Sequence, residues 1–200
     1  MQRLSRRALL QGATAATAAW ALAGCATQRV VRREVDPRFR RQEVAYASAE
    51  RKGAIIINPP EHFLYWVADG GRAMRYGIAV GGEGFGWSGV ATVHSKQEWP
   101  DWYPTAGILE RHPQLRPAIR PLPSGQGMAG GPDNPLGARA LYLWQNNKDT
   151  LYRIHGTNEP WSIGSNVSSG CIRLVNDDAI DLYDRTPIGS KVVVLPSAVS

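Results

Sequence analysis

The sequence predicts a mainly β fold, rich in loops, with one late helix. Three observations carry that expectation. Gly (21) and Pro (14) exceed 17% of the 200 residues, a share that suits turns more than long helices. Short runs of β-branched and aromatic residues recur between turn signals. Helix signals gather in one place, after Asn176.

In chain order, Ala54 to Asn58 is an Ile-rich run ending at Pro59-Pro60, and Phe63 to Val67 follows it closely enough to form a hairpin. Met74 to Val80 runs into the glycine-rich stretch 81–89, and Ala91 to Trp99 resumes an extended pattern. A phosphate-cradling loop opens a helix, so a glycine run between extended segments reads as a strand-to-strand loop. Residues 100–137 hold eight of the fourteen prolines. They read as a long excursion without regular structure, either satellite packing for its aromatic residues or a lid over a cleft. Arg139 to Gln145 and Leu151 to His155 are strand candidates. The helix is expected to start with Asn176 as N-cap, carry Asp177 and Asp178 in its first turn, and stop at Pro187 and Gly189. Lys191 to Leu195 closes the fold as a Val-rich strand.

Two hundred residues suffice for one domain. The formal charge of +6 is not spread along the chain: residues 1–41 hold nine Arg against Glu34 and Asp36, which leaves residues 42–200 at −1. A near-neutral body excludes nucleic acid as the expected partner. Met1 to Arg7 is basic, and 8–23 is Ala-rich, too short and too weakly apolar to span a membrane. Residues 1–24 therefore read as a signal peptide, with an Arg pair resembling a twin-arginine export signal. Leu22-Ala23-Gly24-Cys25 resembles a lipoprotein box, which would make Cys25 a lipidation site in the periplasm. Ordinary cleavage before Gly24 fits the same residues. Residues 25–53 read as a basic linker, a solvated spacer or a tether held near anionic surfaces, and 54–196 as the functional domain.

Cys25 and Cys171 are the two cysteines. If Cys25 carries lipid, Cys171 is an unpaired thiol in an oxidising compartment, and it lies sixteen residues after His155 in a Gly/Ser-rich loop. An imidazole beside a thiol accepts its proton and generates the nucleophilic thiolate. The amides of Gly170 and Cys171 are candidate donors to an oxyanion on the attacked carbonyl. A buried, inert cysteine is the bland alternative. Two ligands are too few for a structural zinc, so no metal is expected.

His155-Gly156-Thr157-Asn158, then Ile163-Gly164, Ser168-Ser169-Gly170-Cys171-Ile172-Arg173-Leu174, Asn176 and Asp181-Leu182-Tyr183 together resemble the active-site segment of the L,D-transpeptidase (YkuD-like) family of bacterial cell-wall enzymes. The likeness takes in about 54–195, including Trp99-Pro100 and Asn134 to Arg139. It implies a β-sandwich of mixed sheets with one or two short helices and a Pro/Gly-rich insertion. It also implies that Cys171 is the nucleophile, His155 the general base, the Gly156 carbonyl the group that orients His155, and Gly170 the oxyanion donor. Arg173, Ser169 and Trp99 would contact substrate. An ion pair of Arg173 with Asp177 or Asp178 is the structural alternative. Many family members have histidine where this chain has Ser169. The implied reaction needs no cofactor. It forms a thioester at the third residue of a peptidoglycan stem tetrapeptide, expels D-alanine, and passes the acyl group to an amine of another stem or of an outer-membrane protein. Hydrolysis by water and a non-catalytic wall-binding module are the alternatives.

Overall fold

The structure, a computed structural model, describes residues 35–82, 86–168 and 170–196. The segment 1–24 read as a signal peptide, Cys25 and Ser169 lie outside the described residues. The strands are β1 (Gln42–Ala45), β2 (Ile55–Asn58), β3 (Phe63–Val67), β4 (Arg72–Gly77), β5 (Val80–Gly81) and β6 (Gly89–Glu98), followed after helix α1 (Ala106–Arg111) by β7 (Arg120–Leu122), β8 (Gly125–Gly127), β9 (Arg139–Gln145) and β10 (Lys148–His155). β11 (Asn166–Ser168), β12 (Ile172–Arg173), helix α2 (Asn176–Arg185) and β13 (Lys191–Val194) complete the fold.

Nine strands form one mixed sheet in the order β1-β4-β3-β2-β13-β6-β9-β10-β12, and β11-β5 and β7-β8 form two-stranded sheets. The fold is mainly β with few short helices, as the sequence predicts. β2 and β3 pair antiparallel as the expected hairpin, while β13 pairs parallel with β2, so the closing strand lies mid-sheet, between β2 and β6. This central position explains the continuous Ile and Val runs in β2 and β13, since strands covered on both faces need no polar alternation. β9 and β10 turn over Asn146 and Asn147, both left-handed (φ 50° and 60°), the requirement of a two-residue hairpin loop.

Ile57, Leu64, Tyr76, Val93, Leu143, Ile154 and Leu182 of α2 belong to one core. Just past β4, Ala79 exchanges two backbone hydrogen bonds of 2.9 Å with Arg173 of the edge strand β12. The chain leaving one side of the sheet is thereby tied to the opposite edge, and the core is closed at the end where β10 and β12 finish.

The structure corrects the sequence reading in three places. The sheet begins inside the segment read as linker: β1 pairs with β4, and Phe39 is buried against Gly77 and Gly164, where an added methyl would run into it. Arg41, counted with the tether's charge, bonds to Asp181 at 3.1 Å and lies 3.6 Å from Asp178. The Pro-rich excursion carries regular structure, namely α1 with Thr105 Oγ1 accepting from Ile108 N, a 3-10 turn over Pro113–Ala118, and the β7-β8 hairpin. Asn176 is the first residue of α2 rather than its cap, which is Val175.

Candidate active site

The site is built from two chain segments laid side by side. β10 ends on His155, next to the fully buried Ile154, and β12 runs parallel to it with Ile154 opposite Ile172 and His155 opposite Arg173. Leu174 N donates to the His155 carbonyl at 2.8 Å. The turn preceding β12 holds Gly170 in a left-handed conformation (φ 120°) that favours glycine, and it delivers Cys171 alongside β10. A cleft of about 320 Å³ opens there. It is lined by His155, Cys171 and Arg173 on one side and by Trp102, Ile108, His112 and Leu136 of the Pro-rich excursion on the other. The excursion therefore forms a wall of the cleft.

Asn134 explains how a Pro-rich segment holds a fixed shape. Its buried side-chain amide donates to the carbonyls of Pro100, Met128 and Ala129, and its Oδ1 accepts from Leu136 N at 2.8 Å. Asn176 does the same for the strand end. Its Oδ1 accepts from Ala138 N (2.9 Å) and Thr157 N (3.1 Å), clamping the segments on either side of the cleft floor. A methyl at Gly137 or Gly156 would collide with that oxygen.

His155 is 4% exposed, and its Nδ1 lies 2.6 Å from the Gly156 carbonyl oxygen. That contact fixes the ring and leaves Nε2 as the proton-accepting nitrogen, provided Nδ1 carries the hydrogen. Burial, and then the Arg173 charge, push the imidazole down to about 3, against the opposite pull of the Gly156 and Leu136 carbonyls. Burial likewise pushes the Cys171 thiol up, outweighing the Arg153 amide and the charges of Arg153 and Arg173. Both groups are thus neutral at neutral pH. Sγ faces the Leu151 carbonyl at 4.0 Å, and no hydrogen bond joins it to His155 among the described residues. Leu151 is left-handed (φ 63°) and 76% exposed, at a bulge in β10 between Asp149 and Arg153. Its amide is held by Asp149 Oδ1, and Asp149 also grips Arg153 through two bonds of 2.7 and 2.8 Å. The bulge aims a carbonyl at the thiol, the kind of local strain found at functional sites.

The remaining expected site residues fall as follows. The Gly170 amide donates to Ser168 Oγ at 3.2 Å, and Ser168 Oγ donates to the Cys171 carbonyl at 2.5 Å, so the Gly170 donor is directed at Ser168. Arg173 pairs with Glu159 at 3.1 Å, not with Asp177 or Asp178, because β12 directs it into the cleft and away from α2. Trp99 is left-handed (φ 43°), 42% exposed, and absent from the cleft lining; Trp102 lines the cleft instead. Glu159, His112 and Ser168 also line it and were not singled out by sequence. Ser168 stands in the same motif, while Glu159 and His112 carry no local signal.

A thiol and a neutral imidazole in one cleft, with an oriented ring, are the equipment of acyl-transfer chemistry. Residues 52–194 match the family model of the YkuD L,D-transpeptidase catalytic domain, and the chain belongs to this family. It is 35% identical over 161 residues to the probable L,D-transpeptidase ErfK/SrfK of Escherichia coli, covering 79% of this chain and 48% of that one. It is 38% identical to the probable L,D-transpeptidase YbiS of the same organism over 69% of this chain and 43% of that one. The chain therefore spans about half the length of these curated relatives. A solved chain from Brucella melitensis described as a probable carnitine operon oxidoreductase is 48% identical, with 80% of this chain and 96% of that one covered and a TM-score of 0.50. L,D-transpeptidase 3 of Mycobacterium tuberculosis shares the fold at 17% identity, with a TM-score of 0.51 over 72% of this chain and 60% of that one.

Proposed function

We propose that the protein is a peptidoglycan L,D-transpeptidase in which Cys171 attacks the carbonyl of the third stem residue, diaminopimelate, and releases the terminal D-alanine. The observation that carries this reading is the shared cleft of Cys171 and His155, with Gly156 holding the ring, inside a chain of this family. A neutral pair fits proton transfer in step with bond formation. Sγ turns from the Leu151 carbonyl toward His155, whose Nε2 takes the thiol proton as the carbon–sulfur bond forms. The same imidazole then returns a proton to the departing D-alanine amine. A second amine, from another stem or from a lysine of an outer-membrane protein, resolves the thioester and regenerates the thiol.

The sequence pattern Leu22 to Cys25 supports export to the periplasm and anchoring through a lipid on Cys25. The test is incubation of the purified protein with tetrapeptide muropeptides, with and without a lysine-bearing acceptor peptide, followed by product masses. Cross-linked dimer or peptide conjugate is the expected product. Trimmed stems alone would make the protein a hydrolase. No D-alanine release from protein with reduced Cys171 would overturn the reading.

A further inference from the structure

The cleft that holds Cys171 is also lined by two opposite charges, Glu159 and Arg173, that take no part in the proton transfers. Arg173 leaves β12 from a point fixed on both sides, by its backbone pair with Ala79 and its register with His155. Its Nη1 lies 3.1 Å from Glu159 Oε2, while its Nε is buried with no hydrogen-bond partner among the described residues. Glu159 precedes the 3-10 turn Pro160–Ser162, and its amide donates to the Thr157 hydroxyl, next to the Asn176 clamp. Its side chain is 48% exposed, against 19% for Arg173. Both line the cleft with Cys171.

We propose that Glu159 and Arg173 form a subsite for a dipolar α-amino acid head group, an ammonium and a carboxylate on one carbon, at the end of the substrate's third side chain. The proposal rests on the stem-peptide reading above. A dipolar head laid against the pair places its carboxylate on the guanidinium and its ammonium on the carboxylate, so no charge is left unmatched. A side chain ending in a carboxylate alone would face Glu159, and one ending in an ammonium alone would face Arg173. The pair thus selects by repulsion as well as attraction. Diaminopimelate ends in such a head; lysine lacks its carboxylate, and 2-aminopimelate lacks its ammonium.

The test compares tetrapeptides carrying diaminopimelate, 2-aminopimelate or lysine at the third position, using kcat/KM for D-alanine release and equilibrium Kd in parallel. Wild type is expected to favour diaminopimelate over either analogue by about tenfold or more, the scale of one hydrogen bond to a charged group. In Glu159→Gln the ratio between diaminopimelate and 2-aminopimelate is expected to collapse toward one. Because each ratio is taken within one variant, a loss of folded protein does not alter it. An equal ratio in wild type and Glu159→Gln, or no wild-type preference, would overturn the proposal. If wild type releases no D-alanine from any peptide, the stem-cleavage reading fails, and the Kd ratios still decide whether the charge pair reads the head group.

Discussion

Cys171 and His155 are each shifted away from the ion-pair state that many cysteine enzymes adopt, and burial is the cause in both cases. Cys171 alkylation by iodoacetamide should be slow at pH 7 and still rising at pH 9, with no plateau near neutrality; a plateau below pH 7 would mean a preformed thiolate. His155 gives a separate prediction for stability. A group whose folded value is depressed stabilises the fold above its unfolded value of 6.5 and loses that contribution as pH falls toward about 3. Chemical denaturation of wild type should therefore show stability declining from pH 6.5 downward. His155→Gln should lack the part of that slope due to the imidazole, and identical pH profiles would contradict the assignment.

Among the elements, the strand end carrying His155 depends on Asn176. Asn176→Ala leaves the amides of Ala138 and Thr157 without their acceptor and should cost about 1–3 kcal/mol, with Asn176→Asp retaining more of the stability because it keeps an oxygen there. Urea midpoints of the two variants check this. Asn176 was visible in the sequence, and its residue type fits a helix cap equally well. Its actual role depends on which segments lie beside α2, which no local pattern encodes. The strand Arg139–Gln145 was readable to the residue from its composition, whereas its hairpin partner starts at Lys148 and not at Leu151, because the left-handed Asn146-Asn147 turn was not read. α1 was hidden by surrounding prolines, since six residues give periodicity little to act on. Trp99, expected to contact substrate, has a left-handed backbone and does not line the cleft, whereas Trp102 does.

For the molecule as a whole, the placement of His155 and Cys171 in one cleft was legible in the motif His155 to Arg173 because both lie in one contiguous segment. The excursion's wall residues reach the cleft only through long-range packing, whereas Glu159 lies within the segment itself and joins the lining by pairing with Arg173. The N-terminal boundary was misjudged because Arg-rich sequence masks Phe39, whose ring is 5% exposed. Phe39→Ala should lower stability by about 3–5 kcal/mol, and a chain starting at residue 54 should be destabilised relative to one starting at 35. Thermal melts of both would settle where the folded body begins.

If the proposed function holds, Cys171 carries the acyl group, which intact-protein mass spectrometry after brief exposure to a stem tetrapeptide can detect. The wild-type protein should gain the mass of the peptide minus D-alanine, on a fragment containing Cys171, with equimolar free D-alanine, and Cys171→Ala should show neither. Release of D-alanine by Cys171→Ala at the wild-type rate would contradict the account.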